Sequence, residues 1–239
     1  MLEFIENIFN LILYKPMFNS LVLFYNYLPG HDFGVAIIVL TLLIKIILYP
    51  LSVKAFKSQK VLQDLQPKMK QIQEKHKDDK EKLAKETLEL YKIEKINPFS
   101  GLFLAFIQLP ILIALYTVFK QGLKPGELNN LYNFIANPGH INPVFLNFID
   151  LSKPNIYFAI FAGISQFFQT KIMSSNLKKD KNNSHDMAQT MQTQMLYIFP
   201  IITIVILISL PSAIGLYWIV SSIFSIIQQY YILKKIKLS

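Results

Sequence analysis

Phe33 to Leu51, FGVAIIVLTLLIKIILYPL, is an apolar run long enough to cross a bilayer, and one lysine is set inside it. A charge at the centre of a membrane helix costs about 2.5 to 3.5 kcal/mol on insertion scales, so Lys45 needs a reason to be there. At about 1.5 Å of rise per residue it stands roughly 10 Å from Ser52, where the sequence turns polar. Two readings stay open. Either the stem lies in lipid while the ammonium snorkels to headgroups, or the charge faces a wet cavity inside the protein.

The same pattern of apolar blocks cut by polar segments recurs along all 239 residues, giving 52% hydrophobic content and a mean hydropathy of +0.35. One soluble core would not be divided this way; an all-α polytopic membrane protein would, since a helix satisfies its own backbone in lipid. There is no cysteine, which excludes disulfides, thiol catalysis and zinc-thiolate sites. All 24 basic residues are lysine, so a site that wants a guanidinium fork must manage with a point charge. The net charge of +9 suggests nucleic acid at first sight. Its placement argues otherwise, because most lysines flank apolar runs, where they set membrane orientation.

Residues 1–32 read as an extracytoplasmic interfacial segment. Ile5, Ile8, Phe9 and Ile12 share one helical face against Glu3, Glu6, Asn7 and Asn10. Residues 17 to 29 form a second short apolar piece closed by Pro29-Gly30. No basic stretch and no small-residue cleavage site argue for a cleaved signal peptide. The first span, 33–51, leads to a polar stretch, 52–97, with twelve lysines and eight acids. There Leu62, Leu65, Met69 and Ile72, then Leu83, Thr87, Leu90 and Tyr91, recur at helical spacing around Lys77-Asp78-Asp79, so an antiparallel helical hairpin is expected, bent at Pro67. A second span, 98–119, contains Gln108 and Pro110. The loop 120–153 carries Tyr132, Phe134 and Phe145 and is expected to rest partly on the membrane. Residues 154–173 make a third span, 174–193 a hydrophilic connection, and 194–210 and 211–233 a fourth and fifth span joined tightly at Pro211, before the basic tail 234–239.

Placing 52–97 in the cytoplasm and alternating over five spans puts nineteen of the 24 lysines on that side. Lys15, Lys120, Lys124 and Lys153 remain outside and Lys45 within the membrane. The asymmetry predicts five spans with the N-terminal segment outside and the C-terminus inside.

Helical projection gives several spans a polar stripe: Thr41, Lys45 and Ser52; Gln108 and Tyr116; Ser165, Gln166 and Gln169; Trp218, Ser221, Ser222, Ser225 and Gln229. Single Ser and Thr residues are ordinary interhelical glue, worth about 0.6 to 2 kcal/mol each; several stripes beside a lone cation mean more. No Asp, Glu or His lies in the five spans, so Lys45 must be satisfied by water, carbonyls or a visiting anion. That argues against proton pumps and many ion-coupled transporters. No triad-like or metal-ligating cluster is visible either, since His31, His76, His140 and His185 fall in loops or the hairpin. An enzyme is not expected, nor a metal or other cofactor.

The stretches TLLIKIILYPL, LQPKMKQIQEKHKDDKEKLAKETLELYK, INPFSGLFLAFIQLPILIALY, FFQTKI and FPIITIVILISLPSAIGLYWIVSSIFSIIQQYYI, in this order, resemble the YidC/Oxa/Alb membrane-protein insertase family from about Gly34 to the tail. The resemblance is to the short form, in which no large extracytoplasmic domain is expected. The resemblance implies five transmembrane helices enclosing a hydrophilic groove open to cytoplasm and lipid, with a cytoplasmic helical hairpin. It implies insertion and folding of nascent membrane proteins without nucleotide hydrolysis. Lys45 then stands where family members usually carry the groove's arginine, Thr41 matches a groove threonine, and Gln108 and Gln169 match polar lining positions. Tyr217 and Trp218 match an aromatic site on the last helix, with Ser221 on the same stripe. Implied partners are nascent membrane proteins, the ribosome and anionic lipids, with the Sec translocon and signal recognition components as further candidates. Lysine for arginine keeps the charge but loses the bidentate hold on a carboxylate. A solute transporter or channel, and an assembly chaperone for already inserted subunits, are the alternatives.

Overall fold

Asp32 starts the helix that carries Lys45. Its carboxylate accepts from the Val35 amide at 2.9 Å, filling one of the donors a helix leaves open at its start, and α3 (Phe33–Ile47) follows. The computed structural model describes residues 2–77, 79–94, 100–122, 124, 126–174 and 187–237. The expected connection 174–193 lies largely outside these residues, as do Asn97-Pro98 and the last two residues of the tail.

Ahead of α3, α1 (Leu2–Phe9), a π turn (Asn10–Tyr14) and α2 (Lys15–Tyr27) run on as one helix. Two separate short pieces were expected here. Pro16 does not break the run because it sits in the first turn of α2, where a missing N–H costs little, and the π turn absorbs the change in register. Phe18, Leu21 and Val22 are buried, while Phe4, Ile5, Leu11 and Ile12 stay exposed. Along this helix Tyr14 donates to Glu127 at 3.0 Å, Asn19 accepts from the Tyr132 amide at 2.6 Å, Tyr25 accepts from the Asn142 amide at 3.0 Å, and Asn26 donates to the Ala136 carbonyl at 2.6 Å. Every one of these partners lies between residues 127 and 142.

Past Leu48 the chain turns by 63° into α4 (Tyr49–Asp64), so the first span expected over 33–51 is bent inside the apolar stretch. Pro50 explains it: near the start of α4 its missing N–H is harmless, whereas inside a continuous helix it would remove a bond and clash. A second break at Leu65, just before Pro67, separates α5 (Gln66–Lys75), which pairs antiparallel with α6 (Lys80–Ile93). The pairing is zipped by Lys68–Glu94 at 2.6 Å, Tyr91 to the Met69 sulfur at 3.5 Å and His76–Glu86 at 2.8 Å. Asp79 caps α6 through the Lys82 amide at 3.0 Å.

Four more helices complete the bundle: α7 (Ser100–Gln121), α8 (Ile156–Ser174), α9 (Met187–Leu207) and α10 (Ser212–Lys237). The core draws on α2, α3, α7 and α10 through Phe18, Phe33, Ile37, Leu115, Phe119, Ile214 and Tyr217. Phe33 and Phe119 meet edge to face at 6.1 Å. α10 packs chiefly on α8 and α3, and α8 on α9, where Gly163 lets the helices close on Ile204. This is an all-α membrane protein with one small addition. β1 (Val144–Phe145) and β2 (Ile149–Asp150) form an antiparallel hairpin too short to give a period-2 signal in the sequence.

By length and composition, among the described residues, Glu3–Tyr27 and Ser212–Lys234 suffice to cross a membrane, and a third candidate arises if α3 and α4 count as one bent span. Phe106–Gln121 and Leu196–Leu207 are shorter apolar helices. These two stretches are parts of α7 and α9, which run on through Pro110 and Pro200 without a break.

Candidate functional site

Lys45 sits twelve residues into α3, about 18 Å along the helix from Phe33 and two residues before its end. It is half-buried, and its Nζ lies 3.3 Å from the Ser225 hydroxyl of α10. The Ser225 hydroxyl in turn donates to the Ser221 carbonyl at 2.9 Å. Among the described residues Lys45 has no acidic partner. A neutral hydroxyl orients the ammonium without cancelling its charge. One turn earlier Thr41 is buried and returns its hydroxyl to the Ile37 carbonyl at 2.7 Å, a self-satisfying bond that lets a polar side chain sit inside the bundle.

A second polar pair lies beside the first. Gln108 of α7 donates from Nε2 to the hydroxyl of Tyr217, a buried residue one turn before Ser221 on α10. Gln108, Tyr217, Ser221, Ser225 and Lys45 therefore bring α7, α10 and α3 together through polar atoms. Two of the sequence candidates stand apart. Trp218, half-buried, packs against the apolar core beside Tyr217. Gln169, half-buried on α8, makes no side-chain hydrogen bond among the described residues, whereas the buried side-chain Oε1 of Gln166, one turn earlier, has no donor among them.

Sequence reasoning placed Ser225 on a polar stripe without assigning it a role, and it overlooked Gln228. Gln228 is buried and donates to the Ser52 hydroxyl at 2.6 Å, holding α4 against the inner part of α10 just past the bend. Its i+3 spacing from Ser225 was the available signal. On the other side of α10 lies an open groove of about 610 Å³ between α8 and α10, lined by Phe161, Phe168, Ile219 and Ile223 among others. A polar cluster and an apolar groove thus occupy different faces of one helix. No group of three metal-ligating side chains occurs among the described residues.

The opposite end of α3 and α10 is covered. The amides of Ser212 and Ala213, which open α10, donate to the carbonyls of Lys153 and Leu151 at 2.9 and 3.0 Å, and the β1–β2 hairpin packs over the start of α3.

A family model described as 60Kd inner membrane protein matches residues 23–239. A protein of Fusobacterium nucleatum named membrane protein insertase YidC is 38% identical over 204 residues, covering 85% of this chain and 87% of that protein. Proteins of the same name from Geobacter metallireducens and Syntrophus aciditrophicus are 34% and 36% identical over 227 and 222 residues. The chain spans only 37% and 36% of the lengths of these two.

Proposed function

This chain belongs to the 60Kd inner membrane protein family, that of the YidC membrane protein insertases, and from that premise we propose that it inserts nascent membrane proteins by receiving their polar outer tails among the polar side chains of α3, α7 and α10. It is a multi-pass bacterial membrane protein. The observation that carries the reading is Lys45: a cation about 18 Å into a membrane helix, oriented by a neutral hydroxyl and without an acidic partner among the described residues. Such a charge persists in lipid only where water or an anion reaches it.

The proposed sequence of events follows from the two faces of α10. The acidic or polar tail of a substrate enters beside Lys45, Ser225, Ser221, Tyr217 and Gln108, exchanging bonds with water for bonds with these groups. Its apolar segment settles in the groove between α8 and α10 and passes into lipid. Each tail charge kept hydrated part of the way avoids a penalty of a few kcal/mol, so nucleotide hydrolysis is not required. The covered end of α3 and α10 faces outward and closes the path, the bend at Leu48 lies within the inner part of the membrane, and the hairpin α5–α6 stands in the cytoplasm. There ribosomes and nascent chains meet the hairpin, and the lysines of the tail meet anionic lipid. The helix 2–27, tied through Tyr14, Asn19, Tyr25 and Asn26 to residues 127–142, lies flat on the outer surface rather than across the membrane.

Insertion of a single-span substrate with an acidic outer tail into vesicles containing only the purified protein tests this. Protease-protected tail is expected. No insertion, or solute flux across the same vesicles without substrate, would place the activity elsewhere.

A further inference from the structure

Residues 131 to 149, LYNFIANPGHINPVFLNFI, contain no lysine, aspartate or glutamate. A solvated loop of that length between membrane helices ordinarily carries charge, and this one instead exposes apolar side chains. Phe148 is 89% exposed, Phe134 73% and Leu146 57%, and Tyr132 stacks on Phe134 at 5.6 Å.

The β1–β2 turn sharpens the point. Leu146 and Asn147 both have positive φ, 49° and 61°. Asparagine tolerates that region, but leucine is a strained choice for it. The turn is also firmly held. The Asp32 carboxylate that caps α3 accepts from the Leu146 amide as well, at 2.6 Å, and the Phe145 ring lies so close over Gly34 that a methyl group there would overlap it. Phe145 thus points into the protein, while Leu146 and Phe148 on either side of Asn147 point away. Through Asp32 the tip is fixed at the residue where α3 begins.

We propose that Leu146 and Phe148 form a membrane-seated tip that enters the headgroup and upper acyl region of the leaflet where α3 starts. Lipid is favoured over a protein partner because the segment offers aromatic and aliphatic surface with no charged rim, the composition of an interfacial belt. Burial of this surface offsets the strain at Leu146. The seated tip fixes the height of α3, and with it the depth of Lys45, against the bilayer. The proposal rests on α3 crossing the membrane and not on insertase activity.

The chain has no cysteine, so Phe148→Cys, Leu146→Cys and Ile46→Cys each accept a single nitroxide label. Ile46, 61% exposed on α3, serves as the control within the span. In phosphatidylcholine/phosphatidylglycerol vesicles, power saturation is read with oxygen and with a water-soluble nickel chelate. Labels at 146 and 148 are expected to show an oxygen-to-nickel accessibility ratio several-fold higher than in detergent-free water, and lower than at position 46. A label at 148 that is open to nickel while 46 is shielded overturns the tip and leaves the span standing. Low access to both probes at 148 shows protein cover, by a second copy or another partner, and also overturns it. Nickel access at 46 overturns the span and the tip together.

Discussion

Replacing Lys45 with methionine removes the charge and keeps most of the stem. Two unit charges about 4 Å apart attract by about 4 kcal/mol at an effective dielectric of about 20. Lys45 is half-buried and already held by Ser225, so stripping water from it and from an incoming carboxylate offsets more than half of that. About 1 to 2 kcal/mol remains, a five- to thirty-fold effect. Initial insertion rates in proteoliposomes are therefore expected to fall by that factor for a tail carrying one or two acids and to stay near wild type for an uncharged tail. Lys45→Glu adds repulsion and lowers the acidic-tail rate further. Lys45→Arg, which restores the fork that grips a carboxylate, raises it. Equal losses for acidic and uncharged tails would show that Lys45 supports structure and not tail capture, and no loss for either would remove it from the path.

Other contacts give further tests. Gln228→Leu removes the bond to Ser52 that holds α4 on α10; a loss of about 0.6 to 2 kcal/mol is expected, read as a lower melting temperature in detergent and greater protease access at residues 49–64. Lys75 first and His76 second hold the Glu86 carboxyl below the usual glutamate range. A depressed folded pKa contributes stability that is complete above the unfolded value of about 4.3 and lost as pH falls through the folded one, so pairing of α5 and α6 is expected to loosen below about pH 4. Hydrogen exchange of the hairpin against pH measures this, and Glu86→Gln is expected to reduce the dependence, leaving the part due to Asp79, whose carboxyl the Lys82 amide and ammonium also hold below its usual range. Gly34→Val forces the Phe145 ring from its seat and is expected to expose residues 143–150 to protease. Leu146→Asn relieves the positive-φ strain and is expected to stabilise the turn in detergent by about 1 kcal/mol.

Much of this molecule is written in local signals. Asp32 before an apolar run marks a helix start, and the seams Leu62–Ile72 and Leu83–Tyr91 mark two helices that pair, because capping and 3.6-residue periodicity are properties of neighbouring residues. The bend at Leu48 was harder to read. Pro50 is plain in the sequence, but the apolar run continues past it, and hydropathy does not report whether a proline starts a new helix or ends an old one. The helix 2–27 was read as two pieces for the converse reason, since Pro16 falls between the two apolar stretches, yet it sits in the first turn of α2 and the π turn before it keeps the helix running. The β1–β2 hairpin escaped because two residues per strand cannot establish alternation and its turn lacks the usual glycine. At the site, Lys45 and the stripe on α10 were legible as residues out of place in lipid. The pairing of Lys45 with Ser225, of Gln108 with Tyr217 and of Gln228 with Ser52 was not, because it depends on the rotation of three helices about their axes, which no single helix encodes.

On the proposed function, α10 divides its substrate, polar tail to one face and apolar segment to the other. Photo-crosslinkers placed at Thr41 and at Ile223 of the working protein, with a stalled substrate labelled separately in its tail and its apolar segment, test it most directly. Tail crosslinks are expected from position 41 and apolar-segment crosslinks from position 223; both segments reaching 223, with none reaching 41, would show that α10 does not part them.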